Sequence, residues 1–145
     1  MRELPLFLLL LAFAPVVSCS KDVRQTNKIH GTWDIVKLEE ISSNGTMTFS
    51  TNPGGVMQFD KCQILDDDFR AFRRLYSYSA NGSDVSVNQT GFYKFTEGGR
   101  MLTVRIPDDN GDHDTHYTVT SLRHKSLTME YQQSDGSKMI YSLEK

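Results

Sequence analysis

The chain is poor in cysteine: two in 145 residues, which excludes a disulfide-dense scaffold. It is nearly balanced in charge. Sixteen Lys and Arg stand against 18 Asp and Glu, for a formal net charge of -2, which leaves no electrostatic footprint for nucleic acid. Long apolar runs are missing as well. The longest, from Leu4 to Val17, has 14 residues, short of the ~20 that a membrane-spanning helix needs. With a mean hydropathy of -0.44, this excludes a polytopic membrane protein and fits a soluble body of one domain. Chemistry-bearing motifs are scarce too. No serine lies in a nucleophile elbow, and no glycine-rich phosphate loop precedes a helix. The chain therefore reads as a binding protein and not an enzyme, with no cofactor.

What is present begins with an address. The apolar run follows Met1-Arg2-Glu3 and closes on Val16-Val17-Ser18-Cys19 before the polar Ser20-Lys21-Asp22. A short apolar stretch ending in small residues suits a secretory signal peptide, and Val16-Val17-Ser18-Cys19 resembles the bacterial lipoprotein box. That resemblance implies cleavage before Cys19, with diacylglyceryl transfer and N-acylation on that residue. Residues 1–18 are then the signal peptide, 19–29 a flexible tether, and 30–145 the folded domain. Ser20 in place of Asp, followed by Lys21-Asp22, resembles outer-membrane and surface-export signals and not an inner-membrane retention signal. The expected location is the outer membrane, lipid-anchored through Cys19. Cys62 is left without an intrachain partner and reads as a strand residue.

From Gly31 onward, turn signals punctuate short β-prone runs: Asn44-Gly45, Pro53-Gly54-Gly55, Asn81-Gly82, Gly98-Gly99, Asn110-Gly111 and Asp135-Gly136. Between them the sequence predicts strands over 31–41, 46–50, 55–64, 72–80, 90–96, 100–106, 115–122, 125–132 and 137–144, an all-β antiparallel meander. Near 65–70, around Asp66-Asp67-Asp68, a loop or short helical turn is expected. The last hairpin allows a sharper inference. Leu127, Met129 and Tyr131 share one face, as do Met139, Tyr141 and Leu143. Only an odd loop buries both sets together, so a three-residue loop, Ser134-Asp135-Gly136, is predicted, with Met129 opposite Tyr141.

Gly31-Thr32-Trp33 at the head of such a meander resembles the lipocalin superfamily, and the ordered set adds to this. It comprises Gly31-Thr32-Trp33-Asp34-Ile35-Val36, Gly91-Phe92-Tyr93-Lys94-Phe95, Met101-Leu102-Thr103-Val104, Tyr117-Thr118-Val119-Thr120-Ser121-Leu122 and Ser126-Leu127-Thr128-Met129-Glu130-Tyr131. It is similar to short lipocalin-like lipoproteins of Bacteroidetes-type bacteria. The resemblance implies an up-and-down barrel of about eight strands plugged by the Trp. It also implies a small apolar ligand and a late Arg over the Trp, for which Arg123 is the nearest candidate. The alternative is a filled barrel that works through its outer surface on an envelope protein.

Alternation gives the inward set as Trp33, Phe59, Tyr93, Phe95, Leu102, Val104, Tyr117, Leu127, Met129, Tyr131, Met139 and Tyr141. Side chains this large predict no deep cavity, only a shallow apolar mouth opposite Trp33. Two other clusters carry charge. Asp108, Asn110, Asp112 and Asp114, with His113 and His116, offer alternating oxygens but lack the glycine and glutamate positions of a calcium loop, and read as a solvated acidic hairpin, not a metal site. Arg70, Arg73 and Arg74, interleaved with Phe69 and Phe72, read as a solvated face or an anionic-partner surface.

Overall fold

A computed structural model describes residues 21–64 and 68–145. The leader, Cys19, the predicted turn at Leu65, Asp66 and Asp67, and the side chain of Cys62 lie outside the described residues.

Nine strands follow in order: β1 Gly31–Ile41, β2 Met47–Thr51, β3 Gly54–Ile64, β4 Arg70–Ala80, β5 Ser83–Thr96, β6 Met101–Asp108, β7 Gly111–Leu122, β8 Ser126–Gln132 and β9 Lys138–Glu144. From β3 onward each pairs antiparallel with the next, and β9 returns to β1, closing an eight-strand barrel with β2 as an extra strand. β2 and β3 lie end to end along one edge of β1, since Leu38 faces Thr51 and Asp34 faces Val56. Asn52-Pro53 separates them. Pro53 has no N–H to give a ladder, and Gly55 (φ +148°) lies so close to the backbone of Leu75 and Tyr76 that a Cβ has no room.

The last hairpin has the odd loop. Met129 faces Tyr141, Leu127 faces Leu143 and Tyr131 faces Met139. Gly136, at φ 84°, donates its N–H to the Gln133 carbonyl at 3.0 Å. A left-handed residue of this kind costs glycine no steric strain.

Two expectations are corrected. The segment read as a tether is a helix, α1, over Lys21–Ile29. Ile29 is fully buried, and its carbonyl accepts the Trp33 Nε1–H at 2.5 Å. The Lys145 ammonium donates to the carbonyls of Lys28 and His30 at the helix C-terminus, where a cation also suits the helix dipole. So short a helix is held by tertiary contact more than by its own propensity: Asp22, Gln25, Thr26 and Ile29, at helical spacing, are covered, while Val23, Arg24, Asn27 and Lys28 are exposed. Secondly, Arg123 is exposed in the β7–β8 turn. The cation over the Trp33 ring is Lys145, 4.4 Å from the ring centre.

The barrel interior is packed at the α1 end and through its middle. Of the twelve residues expected inward, eleven are buried and Tyr131 is half-buried. Ile29, Ile35, Leu38, Met57, Phe72, Tyr76 and Leu143 join them. Leu38 escapes simple alternation because β1 bulges between Ile35 and Lys37, which shifts the facing parity along the strand.

Candidate functional site

The meander sends the β1–β2, β4–β5, β6–β7 and β8–β9 turns to the end of the barrel away from α1. That end is an open cup of about 300 Å³, lined among others by Arg74, Tyr76, Tyr117, Tyr131 and Tyr141, with Glu40. Four of the twelve predicted residues reach it: Tyr117, Tyr131, Met139 and Tyr141. The other eight pack beneath it. The mouth is shallow, as its large side chains predict, but it is not apolar. Phenol hydroxyls and a guanidinium face into it.

Arg74 gets there by alternation. Along β4, Phe72, Tyr76 and Tyr78 turn inward, and Arg74 shares their parity, whereas Arg73 points out and is exposed. The arginine run is therefore not one surface. Arg70 Nη1 donates to the Lys61 carbonyl at the other end of the strand. Within the cup, Arg74 Nε donates to Gln89 Oε1 at 2.7 Å and Nη1 to the Tyr117 hydroxyl at 2.8 Å. No described carboxylate forms an ion pair with it. The Tyr76 and Tyr141 hydroxyls share a hydrogen bond at 3.0 Å. The rings are locked edge to face: Tyr117 on Tyr131 at 5.2 Å and Tyr76 on Tyr141 at 6.1 Å between centroids. Glu40 on the rim accepts from Thr48 Oγ1 at 2.6 Å and from Gln133 Nε2 at 2.8 Å.

Burial governs the ionisation of these groups. It pushes the Tyr117 phenol up to about 12 against the opposing pull of Arg74. It raises Tyr141 well above the ordinary phenol range, with the neighbouring phenols adding to the effect. Tyr131 and Tyr78 rise as well, by burial first. Burial works against the Arg74 charge, but the oxygens of Tyr117, Tyr76 and Tyr141 outweigh it and its pKa rises. At neutral pH the cup thus presents a fixed cation among uncharged phenols.

A titration follows from these directions. Below pH 10 the phenols are protonated in both the folded and unfolded states, and stability does not depend on them. Between pH 10 and about 12 the unfolded chain loses the Tyr117 proton and the folded chain keeps it. Stability should therefore fall as pH rises, by on the order of 2–3 kcal/mol for such a shift. Urea unfolding at stepped pH, with phenolate absorbance followed in parallel, should show Tyr117 ionising only as the barrel opens. Free titration of every tyrosine near pH 10 in a still-folded barrel would contradict it.

The wall beside Arg74 is also incomplete. β5 pairs with β6 only from Phe92–Arg105 to Thr96–Met101, so the upper stretch of β5 pairs on its β4 side alone. A side recess of about 370 Å³ there is lined by Arg74, Gln89, Ile106, Asp108, His113 and Thr115. The acidic hairpin forms its outer lip, and its charges are spent locally. Arg105 grips Asp114 through two hydrogen bonds of 2.7 and 2.9 Å, and His113 Nε2 lies 2.9 Å from Asp108. Among the described residues no three His, Cys, Asp or Glu side chains cluster as metal ligands do.

No protein-family model matches the chain. No curated protein matches it at significance. Among solved structures it is similar to a redesigned beta barrel, with 17% identity over 84% of this chain and 95% of that one, at a TM-score of 0.47.

Proposed function

We propose that this chain is a lipid-anchored envelope protein whose barrel binds a small ligand at its mouth without catalysing a reaction. The observation that supports the binding reading is the distribution of packing. The interior is filled from α1 upward by Trp33, Phe59, Tyr93 and the layer around Met129. It opens in the cup and in the side recess beside it, where aromatic rings stand among oriented polar groups. A volume of about 300 Å³ stands at the small end of the usual ~300–1,000 Å³ range of ligand sites. The site holds about ten waters' worth of volume, so the ligand is small or enters by one end. The rival reading, a surface that docks an envelope protein, has less support. Among the described residues the large exposed apolar side chains are Val23, Met47 and Leu75, on three separate elements.

The anchoring rests on Val16-Val17-Ser18-Cys19, with the outer membrane as the proposed destination. Mass spectrometry of the full chain purified from envelopes is expected to find a lipidated Cys19 and a co-purifying small molecule. The Cys19→Ala variant should lose the lipid mass and leave the membrane fraction. Unchanged processing and membrane retention of that variant would refute the anchor. Absence of saturable binding in a screen of fatty acids and small aromatics would refute the ligand site.

A further inference from the structure

The cup has more hydrogen-bond donors than acceptors. A guanidinium carries five N–H groups. Gln89 and Tyr117 engage one each, leaving three with no protein acceptor among the described residues. Tyr117 accepts from Arg74, so its own proton is unspent. The Tyr76–Tyr141 pair shares one proton between two oxygens, leaving one more O–H to give. Glu40, the carboxylate of the lining, is engaged by Thr48 and Gln133 on the rim and forms no ion pair with Arg74. No described carboxylate neutralises this cation, so its charge and its spare N–H groups are left to solvent or to a ligand. Both the mouth and the side recess lead to it.

We propose that Arg74 is the receptor for the acid group of a small monocarboxylate, held by the guanidinium fork and the Tyr117 hydroxyl, with its apolar body among the tyrosine rings. This rests on reading the mouth as the ligand site and names what that site selects. A planar fork matches a carboxylate's two oxygens. One cation, with Glu40 close by on the rim, suits a single negative charge and opposes a dianion such as phosphate. The ring faces of Tyr76, Tyr131 and Phe49, with Val87, supply the apolar part of an otherwise polar lining and suit a flat aromatic body.

The test uses the full chain and three probes by calorimetry: indole-3-acetate, its neutral amide, and inorganic phosphate. The acid should bind at least tenfold more tightly than the amide, and phosphate should not compete. Arg74→Met should weaken the acid by about 10–100-fold, the range of a lost charge-assisted pair, and leave the amide unchanged. The same variant also deprives Gln89 and Tyr117 of a partner and should melt somewhat lower. The decisive readout is therefore the acid–amide difference, which an arginine that served only to hold the barrel together would not produce. Tyr117→Phe, which removes one oxygen, should weaken the acid by a smaller factor and provides the same test should Arg74→Met misfold. Equal affinity for acid and amide, or phosphate binding more tightly than the acid, overturns the carboxylate assignment and leaves the cup a ligand site. Failure of all three probes to perturb the tyrosine ring signals overturns both.

Discussion

Replacing Trp33 with alanine should cost the barrel about 3–5 kcal/mol, the usual loss for emptying a large buried aromatic site. Trp33 is fully buried, and three parts of the chain meet on it. Its Nε1–H holds the Ile29 carbonyl at the end of α1. The Lys145 ammonium lies over its ring while also reaching the carbonyls of Lys28 and His30. Its strand position faces Met57 on β3. The substitution therefore opens a void and orphans a carbonyl, which adds about 1 kcal/mol. The melting temperature should drop by roughly 10–20 °C for a domain of this size. Amide exchange should accelerate first in α1, because its docking depends on this side chain more than on helix propensity. Trp33→Phe keeps most of the volume but no donor, and should lose less. A Trp33→Ala protein melting within a few degrees of the parent, with α1 still protected, would show that the plug is not where the closed end is stabilised.

Most strands could be read from the sequence because they are bounded by residues with a mechanical reason to turn. β5 and β7 start earlier than expected, at Ser83 and Gly111 and not at 90 and 115, because their polar first halves extend the ladder with little apolar signal. Asn81, Gly82, Gly98, Gly99, Gly111 and Gly136 all adopt positive φ. Burial of one face shared by both strands of the last hairpin pinned its register to the residue, since a slip would expose Met129 or Tyr141. Two features are not legible in the sequence, and a third is legible only by strand parity. Helix α1 depends on Trp33 and Lys145, which lie outside the segment that folds. The β1 bulge hides Leu38, because alternation assumes an unbroken ladder. The cup's cation was missed for a different reason. Arg70, Arg73 and Arg74 look like one basic cluster in sequence, and period-2 geometry assigns adjacent members to opposite faces. Counting parity from Phe72 and Tyr76 places Arg74 inside. The signal was there, but a composition argument that treats arginines as surface residues overrides it.

A large local effect is also expected at Gly91, where β5 parts from β6. Its φ is not in the left-handed region, so the requirement for glycine is steric and not conformational. A Cβ there would sit 2.1 Å from the Arg105 carbonyl oxygen and 2.8 Å from Ile106 Cδ1. A backbone oxygen cannot swing aside as a side-chain end can, so Gly91→Ala must push the two strands apart. The pairs nearest the fork, Phe92–Arg105 and Tyr93–Val104, are the ones that give. An overpacking cost of the order of 3 kcal/mol is expected, with faster amide exchange over residues 92–96. Gly54→Ala is the control. Nothing lies within 4 Å of its Cβ position, and it should stay within about 0.5 kcal/mol of the parent. The consequence extends to the site. Gln89 lies two residues along β5 on the inward face and holds Arg74 Nε at 2.7 Å. A displaced β5 should therefore loosen the guanidinium and weaken binding at the mouth even in the fraction that remains folded. Native stability and full seam protection in Gly91→Ala would mean that the close approach of β5 and β6 is dispensable, and that the window beside Arg74 is not set by it.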